Sequence, residues 1–163
     1  MTRYTQDDIH RLYERNHGTA IENLCKVEVF CGTRPTLTCV NGWVFEQTVR
    51  HCLSHELTVL NLHPVTKEQE RIGQRVVIDL LVGTVGIEIK LKGLFGPTDF
   101  NRVRKASDQA RSQGLSYLCL VGQESHTPYR ERAMNAVGRD NAFFLDTPGQ
   151  WGLFVSRVVE LLH

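Results

Sequence analysis

Between Val76 and Gly93 the chain reads VVIDLLVGTVGIEIKLKG, two apolar runs that carry Asp79 in the first and Glu88, Lys90 and Lys92 in the second. Gly83-Thr84 predicts a two-residue hairpin loop, with glycine first as a type II′ turn requires. Val82 then faces Val85, Leu80 faces Ile87, and Asp79 faces Glu88. Directly opposed side chains have Cβ atoms about 5 Å apart, and like charges there destabilise a sheet. A positive charge between them resolves the conflict, and a hard divalent cation is the natural one for carboxylate oxygens. Lys90, two residues beyond Glu88, points to the same face and can reach a metal-bound water or a phosphate oxygen, while Ile87, Ile89 and Leu91 pack on the other. The plain alternative is an edge hairpin with solvated charges, in which Asp79 and Lys90 merely neutralise each other.

Three features weigh against that alternative. Glu46 lies beside the Phe45/Val49 apolar stripe of the preceding helix, from where it can supply a third carboxylate. Arg102, Lys105 and Gln109 recur at helical spacing after the hairpin, a stripe suited to a phosphate backbone. The strands around the acids are strongly apolar, so placing charges there has a desolvation cost. From Glu88 to Gln113 there are six basic residues against three acids, a local excess of +3, the kind of basic face that surrounds a phosphodiester site.

This set resembles the PD-(D/E)XK nuclease superfamily: Glu46 on a helix, then Asp79, then Glu88-x-Lys90, then a basic helix with Gln109 and a further strand. Within it the chain is most similar to small Holliday-junction-resolvase or restriction-endonuclease-like nucleases, over roughly residues 42–122. Ile78 stands where many members have proline, residues 1–40 show no family pattern, and the four-cysteine spacing of the iron–sulfur branch is missing. The resemblance implies Asp79, Glu88, the Ile89 carbonyl and Glu46 as ligands of Mg²⁺, with Mn²⁺ as a substitute. It implies Lys90 as the group that orients or activates water, and Gln109 at a position where some members carry glutamine. Lys92, Arg102, Lys105 and Gln109 are the expected nucleic-acid contacts. The implied activity is metal-dependent hydrolysis of DNA, duplex or branched, with RNA not excluded and a homodimer expected by analogy. A catalytically weak nucleic-acid-binding or assembly subunit on the same fold is the alternative.

The elements that must position these residues read as follows. Thr5 opens a helix to about Asn16. KVEVF (26–30) and TLTCV (36–40) read as short strands about CGTRP, and a helix spans Gly42 to about Glu56. TVLNLH (58–63) reads as a strand and VTKEQERIG as a polar loop. After the hairpin and the loop GLFGPTD come a helix from about Thr98 to Gln113, a buried strand LSYLCLVG, a short helix PYRERAMNAVG and a buried strand AFFLD. A last helix is capped at Thr147, with Pro148 at its first position. Its Trp151, Phe154, Val155 and Val158 either cover the sheet or make a dimer. The expected architecture is α/β, a restriction-endonuclease-like mixed central sheet flanked by helices, in one domain with 1–40 as an elaboration, 42–122 as the core and 128–163 as a C-terminal part.

The bulk composition agrees with one such domain. The chain has 163 residues, 41% hydrophobic and 23% charged, with a net charge of +1, ordinary for a soluble globular protein. No apolar run reaches membrane-spanning length. The polar start MTRYTQDDIH is unlike a signal peptide, so a cytoplasmic location is expected. Five cysteines without a C-x-x-C pair argue for buried free thiols rather than a zinc ribbon or a disulfide framework. The seven scattered histidines form no helical pair backed by a glutamate.

Overall fold

Thr5 opens the first helix, as its polar first turn predicts. Thr5 Oγ1 accepts the Asp8 N–H at 3.2 Å and the Asp8 carboxylate accepts the Thr5 N–H at 2.9 Å, a reciprocal cap. The structure, a computed structural model, describes residues 3–31, 37–74, 76–94, 96–123 and 126–163, at 23–31 and 37–39 by backbone alone. Helix α1 runs Gln6–Cys31, well beyond Asn16, and α2 runs Leu37–Val59. The expected strand at 26–30 is therefore helix, and 37–40 of the second expected strand open α2; residues 32–36 lie outside the described residues. Helix and strand preferences of Val, Phe and Thr differ by less than about 1 kcal/mol per residue, so an established helix with a packed face extends through them.

The expected strand at 58–63 is the end of α2 and its cap. Thr58 Oγ1 donates to the Ser54 carbonyl at 2.8 Å. Asn61 takes φ +59, its N–H reaches the Thr58 carbonyl at 3.0 Å, and the Leu62 N–H reaches the Leu57 carbonyl at 2.8 Å. These are the bonds of a Schellman stop with asparagine in the left-handed position. The polar stretch read as a loop is strand β1, Thr66–Arg71, exposed along most of its length. Among the described residues it pairs with β2 alone, neither of its faces is buried to mark it, and its charges suit an edge.

Strands β2 (Val77–Val82) and β3 (Val85–Lys90) form the expected hairpin. Leu80 pairs with Ile87, Leu81 with Gly86 and Val82 with Val85. Gly83 has φ +57, and Thr84 is not among the residues with positive φ, as type II′ requires. Helix α3 (Pro97–Ser112) ends ahead of Gly114 at φ +74. Strand β4 (Ser116–Val121), helix α4 (Thr127–Val137), a 3₁₀ turn at Arg139–Asn141, strand β5 (Ala142–Phe144) and helix α5 (Gln150–Leu162) complete the chain. The last helix starts two residues later than expected. Gly149, at φ +82, turns the chain before it, and Thr147 Oγ1 accepts from Arg130 at 3.2 Å in place of capping.

The five strands lie in the order β1-β2-β3-β4-β5, with β3, β4 and β5 parallel and the other neighbours antiparallel. Helices α1, α2 and α5 pack on one face through Ile9, Phe45, Leu53, Ile87, Leu120 and Trp151. Helices α3 and α4 pack on the other through Ile78, Val103, Ala110, Cys119 and Ala136. The fold is thus α/β, a mixed sheet between helical layers. Trp151, Phe154, Val155 and Val158 are buried in the first core, so these four cover the sheet and are not open to a dimer partner. Cys52 and Cys119 are buried free thiols; the side chains of Cys25, Cys31 and Cys39 lie outside the described residues. Among the described residues no helix is long and apolar enough to cross a membrane.

Gly122 fixes how α2 meets the sheet. A Cβ there would lie 2.2 Å from Phe45 Cζ, and Phe45 is fully buried. Gly122→Ala is therefore expected to lower stability by about 1–3 kcal/mol through overpacking. Urea unfolding would show a lower midpoint, and Phe45→Leu in the same chain should recover part of it.

Candidate functional site

The sheet parts where the acids stand. The β2–β3 register ends at Leu80 and Ile87. One step further, the Asp79 carboxylate accepts the Ile89 N–H at 2.9 Å. On the other side of β2, Gln69 of β1 has φ +48 and falls at the one step missing from an otherwise continuous β1–β2 pairing. Asp79 thus sits at a local break in both ladders, and its side chain does backbone work.

Glu88 is 1% exposed, and both its oxygens are held. Oε1 lies 2.6 Å from Lys90 Nζ and 2.6 Å from an Arg102 guanidinium nitrogen. Oε2 accepts the Tyr117 hydroxyl at 2.8 Å. Lys90 Nζ is also 3.8 Å from Asp79 Oδ2, so the ammonium lies between the two carboxylates. Tyr117, on β4, was not singled out in the sequence; its trace there was a polar-headed ring inside an apolar run, where a buried hydroxyl needs a partner. Gly86 admits that ring: a Cβ there would lie 3.0 Å from Tyr117 Cδ2 and 2.9 Å from Ile78 Cδ1.

Glu46 comes from α2, in the helical layer opposite α3. Its Oε2 accepts from Gln69 Nε2 at 3.4 Å, and it feels the charges of Asp79, Lys90, Glu88 and Arg102. Of the four expected nucleic-acid contacts, Arg102 is in the site and exposed Lys105 lines the cleft beside Glu88 and Arg102. Lys92 is exposed just past β3. Gln109 instead lies against Gly73, where a Cβ would be 3.7 Å from its Cδ.

The electrostatics show an acid-rich pocket. Burial, then the Glu88 charge, raises the Asp79 pKa above the usual carboxylate range. Burial and the Asp79 charge push Glu46 up to about 7. Burial works against the Lys90 ammonium, but Glu88 and Asp79 outweigh it and hold its pKa above the ordinary lysine value. Burial pushes the Cys119 thiol up to about 12, which leaves it inert as a nucleophile.

Glu46 carries a pH prediction. Its folded pKa, about 7, exceeds the ordinary 4.5, so between those values the native state binds the extra proton and stability falls as pH rises, levelling off above 7. Glu46→Gln should match the parent near pH 4 and exceed it by about 1–2 kcal/mol at pH 8, after allowance for partial solvent screening. Urea titrations at the two pH values measure the difference.

The donor set suits a hard divalent ion in kind. Asp79 and Glu88 offer carboxylate oxygens, Asp79 Oδ1 has no hydrogen-bond donor among the described residues, and a cation would offset both the burial and the neighbouring Glu88 charge that raise the Asp79 pKa. As the side chains stand, no three potential ligands among the described residues are gathered closely enough to hold an ion; Lys90 and Arg102 occupy Glu88 Oε1. Comparison with known protein families, curated proteins and solved structures finds no match to this chain.

Proposed function

We propose that the protein is a metal-dependent nuclease of the PD-(D/E)XK kind, hydrolysing phosphodiester bonds in DNA with Mg²⁺, or Mn²⁺ as a substitute. The observation that carries the reading is the meeting of Asp79, Glu88 and Lys90 at a break in the sheet, with Lys90 Nζ 2.6 Å from Glu88 and 3.8 Å from Asp79. The arrangement around it supports the restriction-endonuclease-like assignment. A mixed sheet flanked by helices carries Asp79 and Glu88-x-Lys90 on adjacent strands, with Glu46 on the helix before them and Arg102 on the helix after.

In this reading Asp79 and Glu88 would hold the ion, with Glu46 completing its surroundings. The bound ion supplies a lowered water pKa and polarises the phosphoryl oxygen. Asp79 would have one carboxylate oxygen fixed by the Ile89 amide. Tyr117 holds Glu88 Oε2 and so aims Oε1 into the site. Lys90 places an ammonium where charge develops on the phosphoryl group. Arg102, half exposed at the cleft, can exchange Glu88 for a phosphate, and Lys92 and Lys105 extend the basic rim.

A second reading has its own observation: both Glu88 oxygens are taken by Lys90, Arg102 and Tyr117, as in a structural ion pair. The protein would then be a binding or assembly module. Incubation with labelled duplex, single-stranded and four-way-junction DNA and with RNA, in Mg²⁺, Mn²⁺ or EDTA, separates the two. Metal-dependent cutting supports the nuclease and ranks its substrates. Salt-sensitive binding without cutting supports the module.

A further inference from the structure

We propose that Trp43 stacks on an unpaired nucleobase beside the cleaved phosphate, so that the preferred substrate is single-stranded or splayed nucleic acid; this rests on the nuclease reading. Trp43 is 59% exposed, whereas the other tryptophan, Trp151, is 1% exposed and donates its Nε1–H to Glu56 at 3.2 Å.

A lone exposed apolar side chain needs no explanation; the position of this one does. Trp43, Glu46, Gln47 and Arg50 recur at the spacing of one helix face. Along that face Gln47 reaches Glu68 at 2.6 Å, Arg50 pairs with Glu68, and Glu46 meets Gln69. The stripe therefore runs over β1 beside the gap in the sheet, and Trp43 continues it by one turn. A second contact fixes that end of α2. The Phe45 ring lies on Gly122, and the Gly122 N–H is bonded to the Lys90 carbonyl at 2.8 Å. The turn bearing Trp43 is thus anchored at the carboxyl end of β3, where Lys90 ends the strand and Lys92 stands exposed.

An exposed aromatic face on the turn anchored beside the exposed Lys92 pairs the two elements that bind single strands, stacking on a ring and a cation for the phosphate. A paired duplex keeps its base faces covered and cannot use the ring. From Glu46 to Arg50 the stripe is polar and engaged with β1, so among the described residues of this face Trp43 is the exposed aromatic one.

The test is intrinsic tryptophan fluorescence in EDTA, titrated with an oligothymidylate and, separately, with a fully paired duplex of the same length. Saturable quenching by the single strand, with little change on adding duplex, is expected. Trp43→Ala, which leaves Trp151 as the sole emitter, should abolish the quench and weaken single-strand binding by about 5- to 100-fold. Trp43→Phe should retain most of the binding. Equal binding by parent and Trp43→Ala, or equal quenching by duplex, would overturn the proposal. Because no cutting occurs in EDTA, its failure is separable. Metal-dependent cleavage with no role for Trp43 removes the stacking alone; quenching without cleavage in metal removes the nuclease and leaves the stacking.

Discussion

Lys90→Met should lower stability by about 3–5 kcal/mol at neutral pH, the usual consequence of removing one partner from a buried charge set. The side chain stays apolar in its stem, so packing changes little; what is lost is the ammonium between Asp79 and Glu88. Arg102 remains on Glu88 Oε1 and acts on Asp79 from further off, but among the described residues the ion-pair partner of Asp79 is gone, and its pKa is already raised by burial and by Glu88. The deficit should shrink on acidification, as the carboxylates take up protons. It should also shrink with Mg²⁺, more steeply than any Mg²⁺ effect on the parent, because the ion replaces the missing charge. Thermal melts of both proteins with Mg²⁺ and with EDTA measure this. A variant whose deficit ignores Mg²⁺ would mean that the acids do not take the ion.

Asp79→Asn should move stability and activity in opposite directions. Asparagine keeps an oxygen to accept the Ile89 N–H seen at 2.9 Å, so the break in the sheet is preserved. It removes a carboxylate whose ionised form is disfavoured in the fold. A raised folded pKa means that the native state loses stability as pH rises through the carboxylate range. The variant should accordingly be more stable than the parent at pH 8 and no more stable at pH 3. Cleavage should fall by about 10²-fold or more, as when one group stabilising the reacting charge is removed. Denaturant midpoints and single-turnover rates on one preparation test both halves. Stability gained at the expense of activity is the signature of a residue kept for chemistry.

That Asp79, Glu88 and Lys90 come together was largely legible in the sequence because a hairpin is a local device. Gly83-Thr84 specifies a turn, the turn specifies the register, and alternation puts Glu88 and Lys90 on one face with Ile87 and Ile89 on the other. The flaw in that reading is informative. The ladder does not continue to an Asp79–Glu88 pair; the strands part there, and the Asp79 carboxylate takes the place of a backbone carbonyl at Ile89. Repulsion between opposed acids is relieved by geometry as well as by Lys90. Tyr117, on β4 and 29 residues on from Glu88, enters only through tertiary packing.

The fold was legible where burial is regular and obscure elsewhere. Helix α3 and the face of α5 announce themselves by period, and strand β4 by its near-continuous apolar run. Residues 26–30 and 37–40 carry β-branched and aromatic side chains, but belong to long helices that local preference does not outweigh. The TVLNLH stretch hides a helix stop whose marker is Asn61, three residues before Pro64. Strand β1 shows no hydrophobic signal because an edge strand of Thr, Lys, Glu, Gln and Arg buries little. Glu56 was likewise passed over. Its buried carboxylate accepts the Arg3 and Tyr4 amides at 2.8 and 2.7 Å and the Trp151 ring nitrogen at 3.2 Å, tying the N-terminus, α2 and α5 together.

The central claim is that Asp79, Glu88 and Lys90 form a metal-dependent phosphodiesterase centre. Its most direct test is the single-turnover cleavage of end-labelled single-stranded and four-way-junction DNA by the parent, Asp79→Asn and Lys90→Met, each in Mg²⁺ and in EDTA. The account predicts cutting by the parent in Mg²⁺ alone, and loss of it in both variants while Asp79→Asn remains folded. Cutting that survives in Asp79→Asn, or a folded parent that binds but never cuts with Mg²⁺ or Mn²⁺, would contradict it.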